Sequence, residues 1–439
     1  MRRKLLRTGA DELSYEIRGI VKKAELVANA GQDISWENIG DPIQKHASVP
    51  QWIKDIISDL SQQDRTYGYC HSKGVLETRE FLAKKNNELG GVQITAEDIL
   101  FFNGLGDAIA KIYQFLVPTA RIIGPSPAYS THSSAEAAHA NDHPVTYNLD
   151  PGNNWYPDMD DIYQKVKYNS NIVGILIINP DNPTGMVYPR EILERFVEIA
   201  REFNLFLISD EIYINITYNG AEAWSLPEYI GDVPGIALKG LSKEVPWPGS
   251  RCGWAKFYNR KKDVEFDKLC TTLENAKMIE VSSTKLPQLA IPKIMSDHRY
   301  QLHLEENNRK IGEKSRRISE ILKDVEGVHF NPTNGAFYNT IIFKKGVLNG
   351  NQKLEIKNEK VRELVESWVS VPDMPLDKRF VYYLLGAKGV CVVPISSFCS
   401  DLNGFRVTLL EEDTDQLEET FRKIHDALVE YLEVVPENA

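Results

Sequence analysis

Cysteine is scarce, long apolar runs are missing and basic charge is in deficit, and each shortage removes a class of protein. The chain of 439 residues carries five cysteines, at 70, 252, 270, 391 and 399. An odd count without a Cys-x-x-Cys pair, beside scattered histidines, suggests neither a disulfide framework nor a zinc site. No apolar stretch is long enough to span a bilayer. The opening MRRKLLRTGADELSYEIRG is basic but lacks the apolar core and cleavage site of a signal peptide, so a cytoplasmic location is expected. Lysine and arginine total 51 against 62 aspartate and glutamate, a formal net charge of -11. A surface that tracks phosphate backbones needs the opposite excess, which argues against broad binding to nucleic acid or anionic membranes. Internal repeats are absent. The one polar low-complexity stretch, 344–360, reads as a surface insertion rather than a site.

Apolar residues make up 42% of the chain and charged residues 26%, the balance of an ordinary globular protein. The length suggests a large unit and a smaller one. From about residue 97, short β-branched or aromatic runs alternate with helical patterns. ILFF, ARIIGPS, IVGILII, LFLISD and GIALKG read as buried strands, and YPREILERFVEIAREFN as an amphipathic helix between two of them. The expected fold is α/β, a mainly parallel sheet flanked by helices, with ligands at the carboxyl ends of its strands. After about residue 300 a long charged helix leads into a second, α+β unit. The expected division is a large domain over 50–305 and a small domain from 1–49 and 306–439.

The chemistry-bearing residues fall in the loops after those strands. KGLSKEVPWPGSRCGW, 239–254, places Lys243 among small residues with Arg251 eight positions on. NPDNPTG, 179–185, aims Asn182 from a turn fixed by Pro183 and Gly185. SDEIY, 209–213, ends a strand at Asp210 and carries Tyr213. In FFNGLGDAIAKI, 101–112, the turn Gly104–Leu105–Gly106 opens a helix, and its backbone N–H groups suit an anion. It lacks the Walker lysine and the third glycine of a dinucleotide fingerprint, so one phosphate fits better than a nucleotide. Taken alone each has a plainer reading, as a turn asparagine, a helix cap or a tight turn. Taken together, an amine, a carboxylate, a phenol, an amide, a phosphate turn and a guanidinium at the strand ends of one sheet are what pyridoxal phosphate needs.

The order NGLGDA, PSPAY, NPDNPTG, SDEIY, SKEVPWPGSRCGW, NGAFY and FRVTL resembles the class I/II aminotransferases of fold type I over nearly the whole chain. Within that family YEIRG, YGYCHSKG, WYPDMDDI and the Gly-Leu before Ser242–Lys243 are most similar to the bacterial alanine aminotransferase branch. The resemblance implies that Lys243 is the Schiff-base lysine and proton shuttle. It implies that Asp210 faces the ring nitrogen, that Asn182 and Tyr213 bind the 3-oxygen, and that Tyr129 stacks on the ring. Arg251 and the 104–106 turn would hold the phosphate, helped by Tyr69 from the partner of a homodimer, and Ser242 would also contact the cofactor. Arg406 would grip the substrate carboxylate, with Gly40, Tyr15 and Arg18 also facing substrate. The implied activity is ping-pong transfer of an amino group between an L-amino acid and a 2-oxo acid, glutamate and 2-oxoglutarate forming one pair. A carbon–sulfur β-lyase on the same scaffold and a non-catalytic cofactor-binding regulator are the alternatives. Three departures stand out: Gly240 where aspartate aminotransferases have a phosphate-binding serine, no arginine in AKMIEVSS to read a side-chain carboxylate, and VVPISSF in place of a Pro-Gly. The 344–380 region is also longer than typical.

Overall fold

The computed structural model describes residues 5, 6, 8–13 and 17–433, the side chains of 17 and 18 excepted. Its centre is an eight-stranded sheet in the order β2-β9-β8-β7-β6-β3-β4-β5. The strands are β2 (Ile99–Phe102), β3 (Arg121–Ser126), β4 (Thr146–Asp150), β5 (Tyr156–Pro157), β6 (Ile172–Ile178), β7 (Phe206–Asp210), β8 (Gly235–Gly240) and β9 (Gly253–Tyr258). β4, β3, β6, β7 and β8 run parallel, whereas β9 is antiparallel to both β8 and β2, and β5 to β4.

The apolar runs of the central strands are continuous because both sheet faces are covered. Side chains alternate across a strand, so Ile175 and Ile177 enter one core while Leu176 and Ile178 enter the other. Helix Arg190–Glu202 covers the first face with Leu193, Phe196, Val197 and Ala200. Helices Leu105–Gln114 and Val264–Ile279 cover the second, through Ile109, Ile112, Phe266 and Leu273. Each of the larger side chains among them, Leu, Ile, Val or Phe, contributes about 1.5–3 kcal/mol on burial.

A second body of structure gathers both ends of the chain. β10 (Val328–Phe330), β11 (Tyr338–Phe343), β14 (Gly404–Thr408) and β13 (Val393–Pro394) form an antiparallel sheet in that order. β1 (Ser35–Trp36) pairs with β12 (Val390–Cys391) and ties the N-terminal segment to it. Helix Ile17–Asn29 buries Ile20, Ala24 and Val27 in the same core as Phe421 and Leu428 of helix Thr414–Leu432. The two bodies interleave: Tyr213 and Ile216 belong to this core, and Ile342, Val393 and Phe398 to the core of the large sheet.

The 344–360 stretch is not wholly a surface insertion. Gln352, Leu354 and Ile356 are buried while Lys353, Glu355 and Lys357 are exposed. Its average polarity conceals a period of two. Among the described residues no helix is long and apolar enough to cross a membrane.

Candidate active site

One cavity of about 460 Å³ lies at the carboxyl ends of the central strands and is lined by Asn182, Asp210, Tyr213, Ser242, Lys243 and Arg251, as well as Arg406. Topology explains the gathering. Parallel β6, β7 and β8 end at Ile178, Asp210 and Gly240, so their following loops share an edge. β9 runs the other way and begins at Gly253, which puts Arg251, two residues before it, on that edge too. Arg406 reaches the cavity from β14, whose pairing with Thr340 and Val393 fixes its register.

Lys243 Nζ donates to the Gly40 carbonyl at 2.7 Å, and its amine lies 5.8 Å from the Tyr213 ring centroid and 5.6 Å from that of Phe337. Asp210 is buried; its carboxylate accepts from the Ile212 N–H at 3.2 Å and contacts His132 Nε2 at 3.0 Å. Neither partner is a fixed cation, so the carboxylate retains the capacity to hold one from the cavity side. The Tyr213 hydroxyl lies 3.0 Å from that of Tyr338, and burial raises its pKa well above the phenol range. Arg406, also buried, donates through Nη1 to Asn182 Oδ1 at 3.2 Å and through Nη2 to the Asn38 carbonyl at 2.7 Å. Its Nε–H has no partner among the described residues, an orphan donor that a carboxylate would satisfy.

The anion end is built by close backbone approach. Gly104 has φ +88°, and a Cβ there would lie 2.5 Å from Arg251 Nη2, so only a bare Cα lets the guanidinium sit beside the turn. Leu105 and Gly106 line the cavity at the start of helix Leu105–Gln114, where the first N–H groups lack intrahelical partners. A guanidinium and a helix N-terminus thus converge on one point. The donor set fits a phosphate at one end, a ring cation at Asp210 and a carbonyl carbon within reach of Lys243, which is the shape of pyridoxal phosphate.

The sequence pattern of aminotransferase class I and II matches residues 38–424. The chain belongs to that family. It is 55% identical to an uncharacterized aminotransferase of Methanocaldococcus jannaschii over 98% of this chain and 100% of that one. It is 31% identical to the glutamate-pyruvate aminotransferase AlaA of Escherichia coli, over 75% of this chain and 80% of the relative. Among solved structures, an alanine aminotransferase from Pyrococcus furiosus superposes with a TM-score of 0.83 at 26% identity, covering 96% of this chain and 99% of that one. An aspartate aminotransferase of Thermus thermophilus, TM-score 0.79 at 21% identity over 97% of this chain and 100% of that one, shares the fold. The protein is therefore an aminotransferase with the aspartate-aminotransferase-like fold, and the family implies pyridoxal phosphate.

The aminotransferase cavity also contains Tyr129 and Gly40. A Cβ on Gly40 would lie 2.4 Å from the Tyr338 hydroxyl, which leaves glycine alone at that spot. Tyr69 stands apart from the cavity lining and is 82% exposed in the single chain. Tyr15 and the Arg18 side chain lie outside the described residues. Gly240 is packed rather than merely lacking a hydroxyl: a Cβ would lie 2.9 Å from the Cys252 carbonyl oxygen and 3.2 Å from Ile212 Cδ1. Sequence reading missed His132, Asn38 and Tyr338. His132 sits in a helix that begins after Tyr129, and nothing local shows that it reaches Asp210, 78 residues away. Tyr338 did stand in the NGAFY motif, though with no role attached.

Proposed function

We propose that this aminotransferase moves an amino group between a neutral L-amino acid, alanine foremost, and a 2-oxo acid, with glutamate and 2-oxoglutarate as the other pair, in ping-pong order at the Lys243 cavity. The observation that carries the reading is the convergence of Lys243, Asp210, Arg251 and Arg406 on one cavity. Each cation there has a task, and the remaining lining includes Val21 and Ile39, which suit a small apolar side chain. Gln44, whose amide donates to Asp41 at 3.1 Å, is one polar group of the lining that would meet the longer glutamate side chain. The name of the Escherichia coli relative points the same way.

Bound there, pyridoxal phosphate supplies a carbonyl that accepts the amino group and a ring that draws electrons from the carbon bearing it. Arg251, Ser242 and the Leu105 and Gly106 N–H groups would hold its phosphate; Asn182 and Tyr213 its 3-oxygen; Tyr129 its face. Asp210 would hold positive charge at its ring nitrogen, with His132, 3.0 Å away, keeping the carboxylate aimed. Arg406 exchanges the Asn38 carbonyl for the substrate carboxylate, a charge-assisted fork in place of a neutral acceptor. Lys243 leaves the Gly40 carbonyl and moves the proton from the substrate Cα as general base. The exposed Tyr69 is proposed to reach the phosphate of a partner subunit, making the working unit a homodimer. Residues 50–305 are proposed as the cofactor domain, with 1–49 and 306–439 as the domain that carries Arg406.

The test loads the protein with pyridoxal phosphate and adds one amino acid at a time while following the cofactor's absorbance. Alanine and glutamate should discharge the carbonyl form, and pyruvate or 2-oxoglutarate restore it. Release of pyruvate and ammonia from cysteine conjugates without any 2-oxo acid would replace this reading with the β-lyase.

A further inference from the structure

A second cavity, of about 310 Å³, opens beside Lys239 and Gly240 at the end of β8, the strand that leads into Lys243. Its lining is rich in titratable groups that the amino-transfer site does not use, among them Lys239, Lys256, Glu211 and Glu244. Their hydrogen bonds are unequally satisfied. Glu211 accepts from Ser225 Oγ and the Leu226 N–H, each at 2.6 Å. Glu244 accepts from Tyr300 Oη at 2.7 Å and Asn215 Nδ2 at 2.6 Å. Asp297 is bound by Arg299 and caps the helix behind it. The acids are thus engaged.

The amines are not. Lys256 is 4% exposed, and its Nζ has one acceptor, Asn86 Oδ1 at 3.1 Å, which also takes the Tyr258 hydroxyl at 2.6 Å. An ammonium carries three donors. Among the described residues Lys239 has a single distant partner, Glu211 at 3.8 Å. Burial lowers the Lys256 amine to about 7, with Lys239 adding repulsion and Glu211 opposing it. Two amines with spare donors, one deeply buried, line a space large enough for a small molecule, and the carboxylates that share its wall, Glu211, Glu244 and Asp297, are held mainly by other donors.

We propose that this cavity binds a short-chain carboxylate between Lys256 and Lys239, as a ligand site separate from the one around Lys243. A carboxylate oxygen would fill the vacant donor directions of both amines, and the short apolar tail would lie against Leu82, Leu89 and Met295. Glu244, which follows Lys243 directly, is part of the wall, so an occupant touches the segment that carries the Lys243 amine.

The test is equilibrium dialysis of labelled propionate against the cofactor-loaded full chain. Arg406 also attracts carboxylates, so Arg406→Met is included to remove that contribution. Binding should persist in Arg406→Met and weaken about tenfold or more in Lys256→Met and in Lys239→Met, the loss expected for a charge-assisted hydrogen bond. Lys239 lies nearer the rim, so its variant carries the test alone if Lys256→Met fails to fold. Propionate binding that vanishes in Arg406→Met, or that is unchanged in a folded lysine variant, overturns the proposal.

Discussion

The Arg406 guanidinium lies 4.5 Å from the Tyr338 ring centroid and 5.2 Å from that of Phe398, with Nη1 and Nη2 tied to Asn182 and Asn38. Its plane is thereby fixed, so the proposed binding of a substrate carboxylate there would leave little rotamer entropy to lose. Lysine at this position keeps the charge but loses the fork. Arg406→Lys should lower kcat/KM for alanine about 10- to 100-fold, most of it in KM, measured by steady-state assay. A second residue shows how the site's frame is stabilised. Asp181 is fully buried and accepts from Thr184 N at 3.0 Å and Thr184 Oγ1 at 2.5 Å, which pins the turn that presents Asn182. Burial pushes its carboxyl up from 3.8 to about 7. Between those values the folded protein keeps a proton that the unfolded chain releases, so this group makes stability fall as pH rises from about 4 to about 7. Denaturant titrations across that window should show the slope in the wild type and its loss in Asp181→Asn. Lys243, Asp210 and Arg251 were legible in the sequence because each lies in a short motif at a strand end. His132 and Asn38 were not, since their partners are distant in sequence and no local pattern encodes the contact.

At the scale of elements, the loop 37–45 closes the cavity. Its Asn38 and Gly40 carbonyls cover Arg406 and Lys243, and it is latched from behind. Lys45 Nζ binds Glu37 Oε1 and Glu411 Oε2, each at 3.0 Å, and Glu37 Oε2 accepts from Thr408 Oγ1 on the strand that carries Arg406. Lys45 and Glu37 are both buried. Removing one partner leaves a buried charge uncompensated, so Lys45→Met should cost about 3–5 kcal/mol by chemical denaturation and raise KM. Glu37→Gln added to it should recover much of that loss; two additive penalties would mean that the residues do not act as a latch. The strands and the helix Arg190–Glu202 were readable from periodicity because one force, apolar burial, sets their pattern. The 350–357 segment was misread because three buried positions among lysines and glutamates leave its mean hydropathy polar, and only the alternation betrays them.

The whole molecule joins two interleaved cores, and the cavity lies where they meet. Tyr213 links them: it packs edge-on against Phe337 and Tyr338 of the second body while its loop extends β7 of the first. The parallel sheet was legible from the alternation of strand and helix patterns, whereas this interleaving depends on contacts between chain ends that no local window contains. The remaining question of assembly has a direct genetic test. If Tyr69 serves the neighbouring subunit, a mixed dimer of Tyr69→Ala and Lys243→Ala chains has one site with both wild-type residues. Co-refolding the two impaired variants should then restore activity that neither shows alone, and no restoration would place Tyr69 outside the partner's site. Lys243 is proposed to be the amine that engages the cofactor. Borohydride reduction of the protein loaded with pyridoxal phosphate, followed by peptide mass spectrometry, tests it most directly. The reduced cofactor should be found on the peptide containing Lys243, with no stable label in Lys243→Ala; a label on another lysine, with Lys243 unmodified, would show that Lys243 is not that amine.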